Sequence, residues 1–156
     1  MASQQPHRIL IADDNEPNVE LLEAYLAGVT VDGAAIETAI AVDGQDTLDK
    51  TAEFKPHLIL LDIMMPKLSG FEVCQRLKSD PATSGVMILM VTALNELGDI
   101  ERAVEAGTDD FLSKPVNKVE LLKRVENMLK ICSISDEVER LRRYIEEMEK
   151  RAGAEV

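Results

Sequence analysis

Short runs of consecutive apolar residues recur along this chain, and the gaps between them each fit one helix. Ile9 to Ala12, Leu58 to Leu61 and Met87 to Val91 are clear runs; Phe111-Leu112 is a short last one. Another strand falls near Ala35 to Ile40, where the pattern is weakest. The clear runs do not alternate apolar with polar, so they suit strands buried on both faces. Helical patterns fill Pro17 to Ala27, Gln45 to Ala52, Gly70 to Lys78 and Leu97 to Ala106. Pro17 suits a first helical turn, where its missing N–H costs nothing. Strands alternating with helices predict an α/β fold, a doubly wound five-stranded parallel sheet with helices on both faces. Its expected strand order is 2-1-3-4-5, which makes the first and third strands neighbours at the switch point.

Polar residues follow each clear strand. Asp13 and Asp14 follow the first in "ILIADDN", and Asp62 follows the third in "HLILLDIMMP". Thr92 closes the fourth in "MILMVTA", and Lys114 follows the last in "FLSKP". The strand order gathers the three carboxylates at one edge of the crevice, with Thr92 and Lys114 opposite. Carboxylates packed together raise one another's pKa unless a cation intervenes. A hard divalent ion such as Mg²⁺ takes a few carboxylates, water and a phosphate oxygen, so the group reads as half a metal site awaiting an anion. Lys114 adds a mobile point charge and Thr92 a hydroxyl donor, while Ala93 leaves room for an incoming group. A carboxylate nucleophile, a metal and donors for equatorial oxygens together describe phosphoryl transfer, with Asp62 as the acceptor.

These residues carry a resemblance. The pieces "ILIADDN", "LILLDIMMPKLSGFEV", "MILMVTAL" and "AGTDDFLSKPV" make residues 7–130 resemble the receiver domain of two-component response regulators, a flavodoxin-like fold. The resemblance implies a sensor histidine kinase or phosphotransfer protein as the partner that phosphorylates Asp62. It implies Mg²⁺ held by Asp14, Asp62 and the Met64 backbone carbonyl, and through water by Asp13. It also implies a cis Lys114-Pro115 bond, tolerable because the second residue is proline. Thr92 and Lys114 would bind the phosphoryl group. Thr92 and Phe111 would form a switch acting on the surface of the fourth helix, last strand and last helix. Phe111 has no hydroxyl, which excludes a switch that needs a tyrosine hydrogen bond. Met64 and Leu94, two residues past Asp62 and Thr92, are apolar where the family's hydrolytic water passes, so self-dephosphorylation is expected to be slow. Gly28 to Ala35 is longer than the family's usual connection before the second strand. No turnover of a separate substrate is expected. A haloacid dehalogenase-type phosphatase would need a second aspartate at position 64, and a pseudo-receiver would lack one of Asp14, Asp62 or Lys114.

From Asn117 to Ala152 there is neither Gly nor Pro, and Asn117-Lys118-Val119-Glu120 resembles a capping box. Ile131, Ile134, Val138, Leu141, Ile145, Met148 and Ala152 are spaced alternately by three and four, a heptad a/d register. We read residues 131–152 as a helical extension continuing the last helix of a receiver at 7–130. Its coiled-coil seam would be Ile134, Val138, Leu141, Ile145 and Met148, with Glu137 facing Arg142 of a parallel partner in a homodimer. The alternative is an amphipathic helix folded back on its own domain. Phosphorylation would alter pairing through this helix. The segment "KRAGAEV" marks either a stand-alone regulator or one whose output domain has been removed.

Composition bounds the rest. A net charge of -12 disfavours direct binding to nucleic acid, whose phosphates need basic patches. No run approaches a membrane span and the first residues lack a signal's apolar core, so the cytoplasm is the expected location. Cys74 and Cys132 show no metal-ligand spacing. His7 and His57 precede strands and are not read as ligands. Met87, Met90 and Met128 read as core, Gly44, Gly70 and Gly107 as turns beside helices, and Asp109 and Asp110 as caps or solvent-facing groups.

Overall fold

The computed structural model describes residues 5–93 and 97–154. Five strands are parallel: β1 (His7–Ala12), β3 (Ala34–Ala41), β4 (Leu58–Leu61), β5 (Met87–Thr92) and β6 (Asp110–Ser113). A two-residue strand, β2 (Thr30–Val31), runs antiparallel to β3 at the sheet edge, giving the order β2-β3-β1-β4-β5-β6. The parallel strands therefore keep the expected 2-1-3-4-5 sequence, and the sixth strand is an addition to it. It accounts for the long stretch before the second parallel strand. Asp32 and Gly33 both take positive φ, 51° and 80°, the backbone of a tight two-residue hairpin turn.

Leu58 to Leu61 are at most 1% exposed, and burying each such side chain contributes about 1.5–3 kcal/mol. The sheet has a core on each face. On one, Ile9, Ile11, Leu58, Leu60 and Leu89 meet α1 (Glu16–Leu26) and the first turns of α5 (Lys118–Ala154). On the other, Leu10, Ile59, Leu61, Ile88 and Met90 meet α2 (Gly44–Phe54), α3 (Gly70–Ser79) and α4 (Leu97–Ala106). Polar caps set the helix starts. Asn15 accepts from Asn18 N at 3.1 Å, Asp43 from Asp46 N at 2.7 Å, and Asn117 from Glu120 N at 3.1 Å.

Helix α5 is continuous for 37 residues and is not folded back on the domain. Val138, Leu141, Ile145 and Met148 are 46–57% exposed along it; the side chains of Ile134 and Glu137 lie outside the described residues. None of the described helices is long and apolar enough to cross a membrane.

Asp109 and Asp110 do more than cap or face water. Asp109 accepts from Ile88 N at 2.7 Å and pairs with Lys78 at 2.8 Å, tying α3 to the start of β5. Asp110 pairs with Arg124 at 2.5 Å, tying β6 to α5. His7 and His57 meet edge-to-face at the N-terminal ends of the strands, 6.3 Å between centroids. Each contacts backbone: His7 Nε2 lies 2.8 Å from Val31 O, and Arg8 N donates to His57 Nδ1 at 3.0 Å. A cavity of about 580 Å³ opens at that end, beside Lys55, His57 and Cys132 and away from the carboxylates.

Candidate functional site

Strand register builds the site. Ala12 lies beside Leu61, so the next residues, Asp13 and Asp62, leave neighbouring strands at the same level. Their backbones are held there: Asp13 N donates to Ala41 O at 3.1 Å, and Asp62 N to Ala12 O at 2.9 Å. On the other side Thr92 lies beside Ser113, which puts Lys114 one residue past the end of β6. The Lys114-Pro115 peptide is cis.

One carboxylate oxygen from each of Asp13, Asp14 and Asp62 falls in a cluster no more than 4.8 Å across. Asp13 and Asp62 are buried, at 3% and 7% exposure, while Asp14 is open to solvent. Lys114 Nζ donates to Asp13 Oδ2 at 3.0 Å and to Asp62 Oδ2 at 3.4 Å. The ammonium thus bridges the two buried carboxylates. Asp62 Oδ1 accepts from Met64 N at 3.3 Å, and Asp13 Oδ1 from Asn15 N at 2.9 Å. Burial pushes the Asp62 carboxyl above the usual carboxylate range, and the Asp13 charge adds to that; Lys114 pulls the other way. Three carboxylates against one ammonium leave excess negative charge in a partly buried place, and oxygen donors of this kind suit a small hard cation.

The loop after β4 is braced. Gly70 N donates to Ile63 O at 2.8 Å, and a Cβ on Gly70 would lie 2.5 Å from Asp62 O and 2.7 Å from Ile63 Cα. Glycine is required there so that α3 can start against the backbone of Asp62. Across the loop Lys67 pairs with Asp43 at 3.4 Å, and Gly44 N donates to Pro66 O at 3.2 Å. Reading Gly70 as a turn residue missed this role, and the signal was its place eight residues past Asp62 at a helix start. Phe71 carries the Arg102 guanidinium 4.2 Å above its ring centroid, at the rim beside Met64.

Of the residues named from sequence, Asp13, Asp14, Asp62 and Lys114 converge. Thr92 ends β5 on the same side of the sheet, with its side chain outside the described residues. Leu94 also lies outside them. Phe111, in β6, is half-buried against the core that contains Met90 and Ala103.

The family model for the response regulator receiver domain matches residues 9–126. The chain belongs to this family. Receiver domains of response regulators are phosphorylated by histidine kinases, and this family consists of signalling proteins. Response regulator PleD of Caulobacter vibrioides is 41% identical over 131 residues, 84% of this chain and 28% of PleD. The DNA-binding dual master transcriptional regulator RpaA of Synechocystis is 38% identical over 123 residues, 79% of this chain and 49% of RpaA. The chain thus spans less than half the length of either relative. Among solved structures, the CheY-like receiver domain protein of Methanospirillum hungatei superimposes with a TM-score of 0.72 at 27% identity, covering 83% of this chain and 98% of that one. The Mn(2+)-bound form of response regulator Rcp1 superimposes with a TM-score of 0.66 at 27% identity, covering 79% and 91%. In this receiver the acidic cluster stands at the strand ends where an open α/β sheet binds its ligand.

Proposed function

We propose that this chain is the phosphoacceptor of a two-component pathway, with Asp62 taking a phosphoryl group from a sensor histidine kinase or a phosphotransfer protein. In that step the N–P bond of the donor phosphohistidine breaks and a bond from an Asp62 carboxylate oxygen to phosphorus forms. The attacking carboxylate must be ionised. Burial and the Asp13 charge both favour its proton, so nearby positive charge has to offset them. Lys114 supplies part of it, and pairs with a phosphoryl oxygen once the group has transferred. The Thr92 hydroxyl donates to another oxygen. Asp13, Asp14, Asp62 and the Met64 carbonyl would hold Mg²⁺. When bound, the ion neutralises the carboxylates and the phosphoryl charge that develops among them. The Mn(2+)-bound form of Rcp1 supports a divalent-ion reading of the cluster.

The observation that carries this reading is the clustering of Asp13, Asp14 and Asp62 from the ends of two strands far apart in sequence, with the Lys114 ammonium bridging Asp13 and Asp62. A phosphatase of the dehalogenase type would need an acid at position 64, which is Met64. Downstream, movement of Thr92 toward the phosphoryl group frees space for Phe111, and the surface of α4, β6 and α5 changes its partner preference. The receiver occupies 7–130, and 131–152 is the extension through which homodimers form, with Ile134, Val138, Leu141, Ile145 and Met148 as the seam. The chain works in the cytoplasm, without direct nucleic-acid or membrane contact. Incubation with acetyl phosphate and Mg²⁺, with Asp62→Asn as control, tests the acceptor role: label on the wild type alone supports it, and equal label on both sinks it.

A further inference from the structure

The rim of the acidic cleft carries a cation to which no role has yet been given. Arg102, on α4, lies with its guanidinium 4.2 Å above the ring centroid of Phe71, the second residue of α3. Phe71 is 7% exposed and packed in the core on that face of the sheet, so the platform under the guanidinium is fixed. A guanidinium stacked on a ring is held by its face, and its N–H donors point outward in its own plane. Among the described residues no carboxylate forms an ion pair with Arg102, although Glu72 and Glu105 line a smaller recess beside it. Its fork is held in place and open to a ligand.

That fork faces the entrance to the phosphoacceptor. Arg102 shares with Asp14, Met64, Ser69 and Phe71 an opening of about 520 Å³ beside the carboxylate cluster. Transfer to Asp62 is an in-line displacement, with the attacking oxygen and the departing group on opposite sides of phosphorus. Asp62 is buried at the floor, so the departing group has to leave by the mouth. Three carboxylates against the single Lys114 ammonium make that region repel an anion. A cation at the rim therefore matters most to a donor whose departing group is negatively charged.

An acyl phosphate is such a donor. Its P–O bond breaks as the Asp62 oxygen bonds to phosphorus, and a carboxylate leaves with the electron pair, needing no proton. A guanidinium fork matches the two oxygens of a carboxylate. The attraction grows as charge develops on them, so it acts more on the transition state than on the bound donor. Phosphoramidate provides the contrast. Its nitrogen is already protonated, takes the pair of the P–N bond and departs as neutral ammonia.

We infer that Arg102 is a specificity-determining residue: it binds the departing carboxylate of an acyl phosphate, and raises transfer from such donors without raising transfer from donors whose departing group is uncharged. This rests on Asp62 as the acceptor and names a class of donor for it.

The test follows phosphorylation of Asp62 in the full chain at fixed Mg²⁺, with acetyl phosphate and separately with phosphoramidate. Arg102→Gln removes the charge and keeps a stem over Phe71, while Arg102→Lys keeps the charge and loses the fork. With acetyl phosphate Arg102→Gln is slower by about threefold to tenfold and Arg102→Lys falls between, whereas with phosphoramidate both stay within about twofold of the wild type. Equal slowing with both donors would mean that Arg102 acts only through the fold, and would overturn the inference. An unchanged rate with acetyl phosphate would overturn it as well. No label on wild-type Asp62 from either donor is a different result: it contradicts the acceptor reading itself, and this inference with it.

Discussion

Asp62 accepts a hydrogen bond from Lys114 at 3.4 Å across 52 residues of chain. The same ammonium reaches Asp13 at 3.0 Å, so one lysine holds two buried carboxylates that would otherwise repel each other. Charge balance in this small volume governs both the stability of the fold and its chemistry.

Asp62→Asn should stabilise the protein at neutral pH. The Asp62 carboxyl titrates above its ordinary value of 3.8 in the folded state, so the native state holds more protons than the unfolded one between the two values. Stability therefore falls as pH rises through that window, and the cost of the charge is fully present above it. Denaturant melts at pH 7 should show a gain of about 1 kcal/mol for Asp62→Asn. The gain should vanish below the ordinary carboxylate value, where the wild type is also protonated; a loss of stability at pH 7 would contradict the charge balance described.

Mg²⁺ should raise the melting temperature of the wild type, because a ligand that binds only the folded state stabilises it in proportion to the logarithm of its concentration. Asp14→Asn removes an exposed carboxylate of the cluster and should abolish that rise with little effect on the metal-free melt. Differential scanning calorimetry with and without the ion reads both.

Much of this was legible because buried strands and strand-end charges leave local marks. Leu58–Leu61 is a strand on composition alone, and Asp13, Asp62 and Lys114 need only the strand order to be brought together. Strand β2 was missed although Asp32-Gly33 is a hairpin signal, because two residues are too few to show a pattern. The partners of Asp109 and Asp110 were not legible either: Lys78 and Arg124 come from helices whose packing no local pattern specifies.

Gly70→Ala should cost roughly 1–3 kcal/mol, since its Cβ would meet the Asp62 carbonyl oxygen at 2.5 Å and backbone cannot move aside freely. It should also slow phosphorylation by displacing Asp62. Equilibrium unfolding and acetyl phosphate kinetics on the same variant measure the two effects.

Cys74 should resist thiol reagents in the native protein. Burial pushes its thiol up to about 11, and its Sγ donates to Ala106 O at 3.3 Å. At pH 8 roughly one thiol in a thousand is ionised, before access is considered. Modification that waits for denaturant is expected; rapid labelling of Cys74 in the folded state would contradict the packing.

Met64 is 67% exposed at the mouth of the site, and a thioether is too weak a hydrogen-bonding group to orient an attacking water. The phosphorylated protein should persist for minutes or longer, and Met64→Gln should shorten its lifetime several-fold. Decay of label after removal of the donor decides it.

The most direct measurement is mass spectrometry of the intact chain and its peptides after treatment with acetyl phosphate and Mg²⁺. A single added phosphoryl group mapped to Asp62, absent when the ion is chelated or Lys114 is replaced by alanine, is the predicted result. Phosphate on another residue, or transfer to Asp62 unaffected by removing both cations, would contradict the account.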